Sequence, residues 1–128
     1  MKALDIDSQP CLIHTAGTPK AVLIQLTARH ERKTIDSELS LIEQGSQMGF
    51  VFVGIDLQQW ALSLMPWADE AVARDPEVGR HAIDTLDYVT RRLLPYIYNR
   101  YGQLPCILGG YSLGGLFSLW AASESPLF

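Results

Sequence analysis

The sequence predicts an α/β domain, and two kinds of pattern support this fold class. Short apolar runs typical of buried strands alternate with stretches whose apolar residues recur at helical spacing. The clearest run, residues 50–56, is apolar throughout, as expected for a parallel strand covered on both faces. We therefore expect one domain over residues 1–128, with a mostly parallel sheet and helices on both of its faces.

Four strands and three helices are predicted along the chain. The strands are residues 11–16, 21–28, 50–56 and 106–109, bounded mostly by proline, glycine and polar residues. A first helix over residues 36–48 should stop at Gly49. A second should begin at Pro76 and be kinked or divided by Pro95, with one apolar stripe formed by Ala82, Leu86, Val89, Leu93 and Ile97. The third helix, residues 116–122, follows the last strand directly.

Composition excludes several classes of partner. The net charge of −4 and the pI near 5.2 argue against nucleic-acid binding, which requires a basic face. No apolar run approaches the roughly 20 residues that span a bilayer, and the N-terminus lacks the apolar segment of a signal peptide. Cys11 and Cys106 lie in apolar runs without metal-ligand spacing, so we expect buried thiols, no metal site and a cytoplasmic location.

The chemistry-bearing motif is Gly110-Tyr111-Ser112-Leu113-Gly114, placed between a short strand and an apolar helix. This pattern in this context is typical of a nucleophile elbow, in which a strained turn presents a serine hydroxyl at the strand end. The alternative is a glycine-rich turn with an incidental serine. A phosphate-binding loop would need lysine at Leu116, and a dinucleotide-binding turn would need glycine at Ser112.

The elbow and the strand–helix order resemble the α/β-hydrolases, most closely bacterial esterases of the esterase D and enterochelin-esterase type. The resemblance rests on residues 23–26, 60–67 and 108–116 and covers about the N-terminal half of that fold. It implies a sheet order 2-4-3-5, Ser112 as nucleophile, and the Leu113 N–H with one from Ala28 or Arg29 as oxyanion donors. It also implies a small-molecule ester as substrate, no cofactor, and a pocket lined by Tyr111, Trp60 and Trp67.

The chain departs from this family in its histidines. The acid and the histidine follow the serine in α/β-hydrolases, but the sixteen residues after Ser112 contain no histidine. His14 is expected in the core and His81 on the exposed face of a helix. His30, which follows a strand ending at the ligand edge, is the one histidine with an approach to the site, and Asp56 is a candidate to orient it.

Three hypotheses therefore remain from the sequence. The first is a serine esterase acting through Ser112, with its acid and histidine supplied from elsewhere. The second is an inert, truncated hydrolase-like domain that serves as a structural or assembly subunit. The third is a small-molecule binding module that uses the aromatic 57–75 connection. In each case the last strand leaves an apolar sheet edge, so we expect a homo-oligomer or a partner chain to cover it.

Overall fold

The computed structural model describes residues 1–128 and contains a five-stranded sheet flanked by helices. The strands are β1 (Lys2–Ile6), β2 (Gln9–Ala16), β3 (Pro19–Ala28), β4 (Gly49–Leu57) and β5 (Cys106–Gly110). The helices are α1 (Arg32–Gly45), α2 (Trp60–Leu64), α3 (Ala82–Tyr88), α4 (Leu94–Tyr101) and α5 (Leu113–Glu124). A 3-10 turn (Arg29–Glu31) precedes α1, and a π-helical turn (Val89–Leu93) joins α3 to α4. The predicted α/β class is confirmed.

The strand order is β1-β2-β4-β3-β5, which contains the order 2-4-3-5 implied by the resemblance. The prediction of a mostly parallel sheet needs correction, because β3 pairs in parallel with β4 and β5 whereas β2 pairs antiparallel with both β1 and β4. The sheet is therefore mixed. A strand that is apolar on both faces does not reveal its direction, so the apolar run in β2 was compatible with either arrangement.

Strand β1 was not among the predicted strands, although its pattern explains it. Leu4 and Ile6 face the core, and the residues between and before them are exposed, which is the alternation of a half-buried strand. Asp7 and Ser8 form the hairpin turn with φ of 52° and 68°. Two successive left-handed residues are typical of a type I′ turn, but the usual Asn-Gly signal for it is missing here.

Helices cover both faces of the sheet, as predicted. On one face, α1 packs on β2 and β4 through the buried residues Leu12, Ile35, Leu39, Phe50 and Phe52, and partly buried Leu23 of β3 packs against them. We call this the α1 face. The opposite face carries the larger core, to which β-strand side chains and the helices α2 to α5 contribute. None of the helices combines the length and the apolar character needed to cross a bilayer.

Helix α1 begins four residues before its predicted start and ends at Gly45 instead of at Gly49. Gly49 has another role, because it opens β4 where the turn between β2 and β3 passes over it. A Cβ atom on Gly49 would lie 2.1 Å from the Thr18 carbonyl oxygen, so only glycine fits there. The glycine was a valid boundary signal, but the element that it bounds is the strand.

The second helical region begins at Ala82, after turns that include Pro76, and not at Pro76 itself. Its predicted apolar stripe is confirmed, since all five residues of that stripe are buried. The helix widens into a π turn just before Pro95, where the Leu94 N–H bonds to the Val89 carbonyl. Proline has no N–H and its ring crowds the preceding turn, so the wider turn accommodates Pro95 and divides the helix.

Candidate active site

The serine of the predicted elbow lies at a sharp turn between β5 and α5. Ser112 has φ 54° and ψ −114°, a conformation that side-chain-bearing residues rarely adopt and that costs of order 1–3 kcal/mol. Its side chain is exposed, and its hydroxyl does not cap the helix that follows. The turn is closed by a hydrogen bond from the Gly114 N–H to the Tyr111 carbonyl, 2.9 Å. The predicted strained turn and exposed hydroxyl are both present.

The two glycines of the motif allow the strand and the helix to touch. A Cβ atom on Gly110 would lie 2.8 Å from the Gly114 Cα, which is backbone and cannot move aside independently. A Cβ atom on Gly114 would lie 3.3 Å from the ring of Trp60 and close to Leu26 of β3. Glycine at both positions thus holds α5 against β5 and against the neighbouring strand.

Two backbone regions that can donate hydrogen bonds lie at the same sheet edge as Ser112. Leu113 is the first residue of α5, so its N–H is one of the donors that have no acceptor within the helix. Leu26 of β3 pairs with Gly110 of β5, and both Ala28 and Ser112 lie two residues beyond that rung. The register therefore brings the end of β3 beside the elbow, as the sequence predicted.

Ala28 and Arg29, the two residues considered for the second oxyanion donor, differ in the hydrogen bonding of their N–H groups. The Ala28 N–H already donates to the Glu31 carboxylate, 2.8 Å, within the 3-10 turn. Arg29 is the first residue of that turn, and no side chain accepts a hydrogen bond from its N–H. The Glu31 bond was missed in the sequence because an alanine, and not serine or threonine, stands three residues before the glutamate, so no capping box could be recognised.

Of the aromatic residues assigned to the pocket, Tyr111 alone lines the groove on the α1 face. Tyr111 is 76% exposed and borders an open groove of ≈ 390 Å³ on the α1 face, with Leu23, Ile42 and Ile107 among its lining residues. Trp60 packs against the core of the opposite face, beside Gly114. Trp67 is 49% exposed and does not line the groove. Their common role as a pocket stays a prediction.

None of the three histidines forms a hydrogen bond with Ser112. His14 was expected in the core, but it is only half-buried. It lies in the middle of β2 and pairs with Glu43 of α1. His81 immediately precedes α3 and contacts Glu77 and Asp84, each at 3.0 Å. Two hydrogen bonds raise the pKa of His81 above its ordinary value, and the one with Glu77 has a larger effect than the one with Asp84.

His30 is the histidine nearest in the fold to the elbow edge, because it lies in the exposed 3-10 turn directly after β3. Asp56, near the end of β4, is buried on the α1 face, and one of its carboxylate oxygens, Oδ1, has no hydrogen-bond partner. No hydrogen bond joins His30 to Asp56. The predicted orienting role of Asp56 therefore stays a prediction.

The two cysteines are free thiols. Cys11 is buried and Cys106 partly buried, and burial raises the pKa of each to about 11. A thiol with so high a pKa is almost wholly protonated at neutral pH and is a poor nucleophile. The serine hydroxyl thus remains the candidate nucleophile of this edge.

Comparison with solved structures finds the same architecture in serine hydrolases and esterases. The IroE-like serine hydrolase from Shewanella oneidensis has 20% identity and a TM-score of 0.79 over 99% of this chain and 48% of its own. Enterochelin esterase from Shigella flexneri has 19% identity and a TM-score of 0.70 over 98% of this chain and 33% of its own. The siderophore hydrolase EstA from Aspergillus nidulans has 21% identity and a TM-score of 0.64 over 91% of this chain and 50% of its own.

The chain therefore spans half or less of the length of these proteins, and the predicted α/β-hydrolase fold is confirmed. No family model matches the sequence, and a comparison with curated proteins finds no significant match.

Proposed function

We propose that this chain carries the nucleophile and the oxyanion donors of a serine hydrolase of carboxylesterase type. Ser112 Oγ would attack the carbonyl carbon of a small-molecule ester while its proton passes to a base. The tetrahedral intermediate then expels the alcohol, which takes up that proton, and water hydrolyses the acyl-enzyme. The observation that carries the proposal is the conformation of Ser112, φ 54° with an exposed hydroxyl at the strand end.

Two N–H groups support the proposal because both belong to segments that begin at the sheet edge bearing Ser112. The Leu113 N–H stands at the start of α5, and the Arg29 N–H stands at the start of the turn after β3. Two backbone donors at this kind of junction are the usual oxyanion arrangement of the fold. Removal of one such donor typically costs about 10²–10³-fold in kcat.

The base is the missing component. A serine hydroxyl is a weak nucleophile at neutral pH and needs a base within hydrogen-bonding reach. His14 and His81 are engaged with carboxylates away from the elbow, and His30 is exposed without a bond to Ser112. We therefore propose that a histidine and an acid from outside these 128 residues, or from a partner chain, complete the site.

The experiment is labelling of the protein with a fluorophosphonate probe, combined with hydrolysis of short p-nitrophenyl esters. Without its base, the wild type should still label and hydrolyse weakly, through the residual rate that the oxyanion donors supply, and Ser112→Ala should abolish both. Ser123→Ala is the matched control, because this exposed serine lies at the other end of the same helix. Hydrolysis that persists in Ser112→Ala at the wild-type rate would exclude Ser112 from the mechanism.

A second function is an inert hydrolase-like domain that retains the elbow as architecture. The absence of a histidine bonded to Ser112 favours it, because without a base the nucleophile is not activated. The same labelling experiment separates the two proposals. A folded protein, verified by circular dichroism, that fails to label at Ser112 would support the inert domain.

We also propose that β5 is covered by a second copy of this chain. β5 ends the sheet and pairs only with β3, and Ile107 on it is 57% exposed. An unpaired apolar edge favours association with another chain. Light scattering at micromolar concentration should give a dimer, and Ile107→Lys should give a monomer. A monomeric wild type would refute this.

A cytoplasmic location, supported by the two free thiols, likewise stays a prediction.

A further inference from the structure

We infer that Arg32 pairs with the buried carboxylate of Asp56 and so acts as a positioning residue for the turn that bears the Arg29 N–H. The catalytic meaning of this pair rests on the proposed function, whereas the pair itself does not.

The unsatisfied atom is Oδ1 of Asp56. The residue is only 9% exposed, and this oxygen has no hydrogen-bond partner. The only side chain that bonds to the residue is that of Gln9, whose Nε2 donates to the backbone carbonyl and not to the carboxylate. Burial of an ionised carboxylate without a donor is strongly unfavourable, so such groups are almost always paired. A donor for this oxygen is therefore required.

The cavity beside Asp56 contains one suitable donor. It measures ≈ 330 Å³ and is bounded by β1, β2, β4 and the start of α1. Arg32 is the only cationic residue in its lining, and its guanidinium is not engaged in an ion pair elsewhere. A second cavity lined by Asp56, of ≈ 450 Å³, has no cationic residue in its lining. A flexible arginine with five N–H donors can cross the first cavity to reach the carboxylate.

Asp5 is the competing acceptor, since its carboxylate belongs to the same cavity. Asp5 is exposed, so water already solvates its charge, and an exposed ion pair contributes little to stability. The attraction between charges is stronger where water has less access, and Asp56 is much less exposed than Asp5. Arg32 should therefore favour Asp56.

The position of Arg32 in the chain links a pair with Asp56 to the 3-10 turn that carries the Arg29 N–H. It is the first residue of α1 and directly follows the 3-10 turn. The near end of that turn is held by the pairing of Ala28 with Leu57 of β4, and the Ala28–Glu31 bond spans the turn itself. A bond from Arg32 to Asp56, also on β4, would fasten the far end to the same strand. Both ends of the segment that carries the Arg29 N–H would then be fixed.

The pair is tested first by a double-mutant cycle on the unfolding equilibrium constant. Arg32→Ala and Asp56→Asn should be coupled by about tenfold, whereas Arg32→Ala and Asp5→Asn should be independent. Equal coupling to Asp5, or no coupling to Asp56, would overturn the pair. If Asp56→Asn does not fold, the exchange rate of the Arg32 Nε proton in the wild type tests whether the pair forms. It should be at least about tenfold slower than that of Arg91, whose pair with Asp87 is exposed.

The positioning role is tested by the amide exchange of Arg29 and by the labelling of Ser112. Arg32→Ala should speed the Arg29 amide exchange and slow fluorophosphonate labelling by about tenfold. Arg32→Lys should restore part of both, and Arg91→Ala should change neither. An intact pair with unchanged Arg29 exchange would overturn the positioning role. If the wild type does not label, the proposed function fails, and the coupling and exchange measurements still decide this inference.

Discussion

Replacement of Gly110 by alanine tests the packing that makes the elbow. The added Cβ would lie 2.8 Å from the Cα and 2.9 Å from the carbonyl carbon of Gly114. Both are backbone atoms of the first turn of α5, so no side-chain rotation relieves the contact. Either β5 or α5 must move, and Ser112 lies between them.

The size of the effect follows from the cost of overpacking. Insertion of a methyl group into a packed contact that cannot relax costs roughly 1–3 kcal/mol. For a chain of this length that corresponds to a fall in Tm of about 3–12 °C. The displacement of Ser112 should also reduce fluorophosphonate labelling, because the hydroxyl would leave its position beside the Leu113 N–H.

Gly109→Ala is the matched control, one residue earlier on the same strand. A Cβ atom there meets nothing within 4 Å, and the residue does not have a positive φ. The change should therefore be neutral or should stabilise by about 0.4–1 kcal/mol, by restricting the unfolded chain. Thermal and urea unfolding followed by circular dichroism measure both variants. Equal stabilities for Gly109→Ala and Gly110→Ala would refute the role given to Gly110.

Three further predictions concern the serine, one histidine and one thiol. Ser112→Gly should raise the free energy of unfolding by about 1 kcal/mol relative to Ser112→Ala, because glycine adopts positive φ without strain; equal urea midpoints would show that the turn is relaxed. An NMR titration of His81 should give a midpoint above 6.5, and Glu77→Gln should lower it. The stabilising effect of His81 should be complete below its pKa in the unfolded state and should be lost as pH rises through its pKa in the folded state. A titration midpoint insensitive to Glu77→Gln would contradict this. Native Cys11, with a pKa of about 11, should react with iodoacetamide near pH 8 much more slowly than the unfolded protein, and equal rates would show that the thiol is accessible.

Much of the fold was predictable because local patterns carry it. The strands β2 to β5 are apolar runs between breakers, and the stripe from Ala82 to Ile97 repeats at helical spacing. The elbow was predictable for the same reason, since strand, glycine, serine, glycine and helix are contiguous. The β1–β2 hairpin was missed because Asp7 and Ser8 are not the residues that usually mark a type I′ turn.

The sequence alone determined that a strained serine would stand between a short apolar strand and an apolar helix, because every part of that turn is made by neighbours along the chain. Only the tertiary structure decided what surrounds it. Strand direction and the unpaired oxygen of Asp56 depend on contacts between distant segments. No local pattern encodes such contacts, since they are set by which elements pack together and by which polar atoms that packing leaves without water.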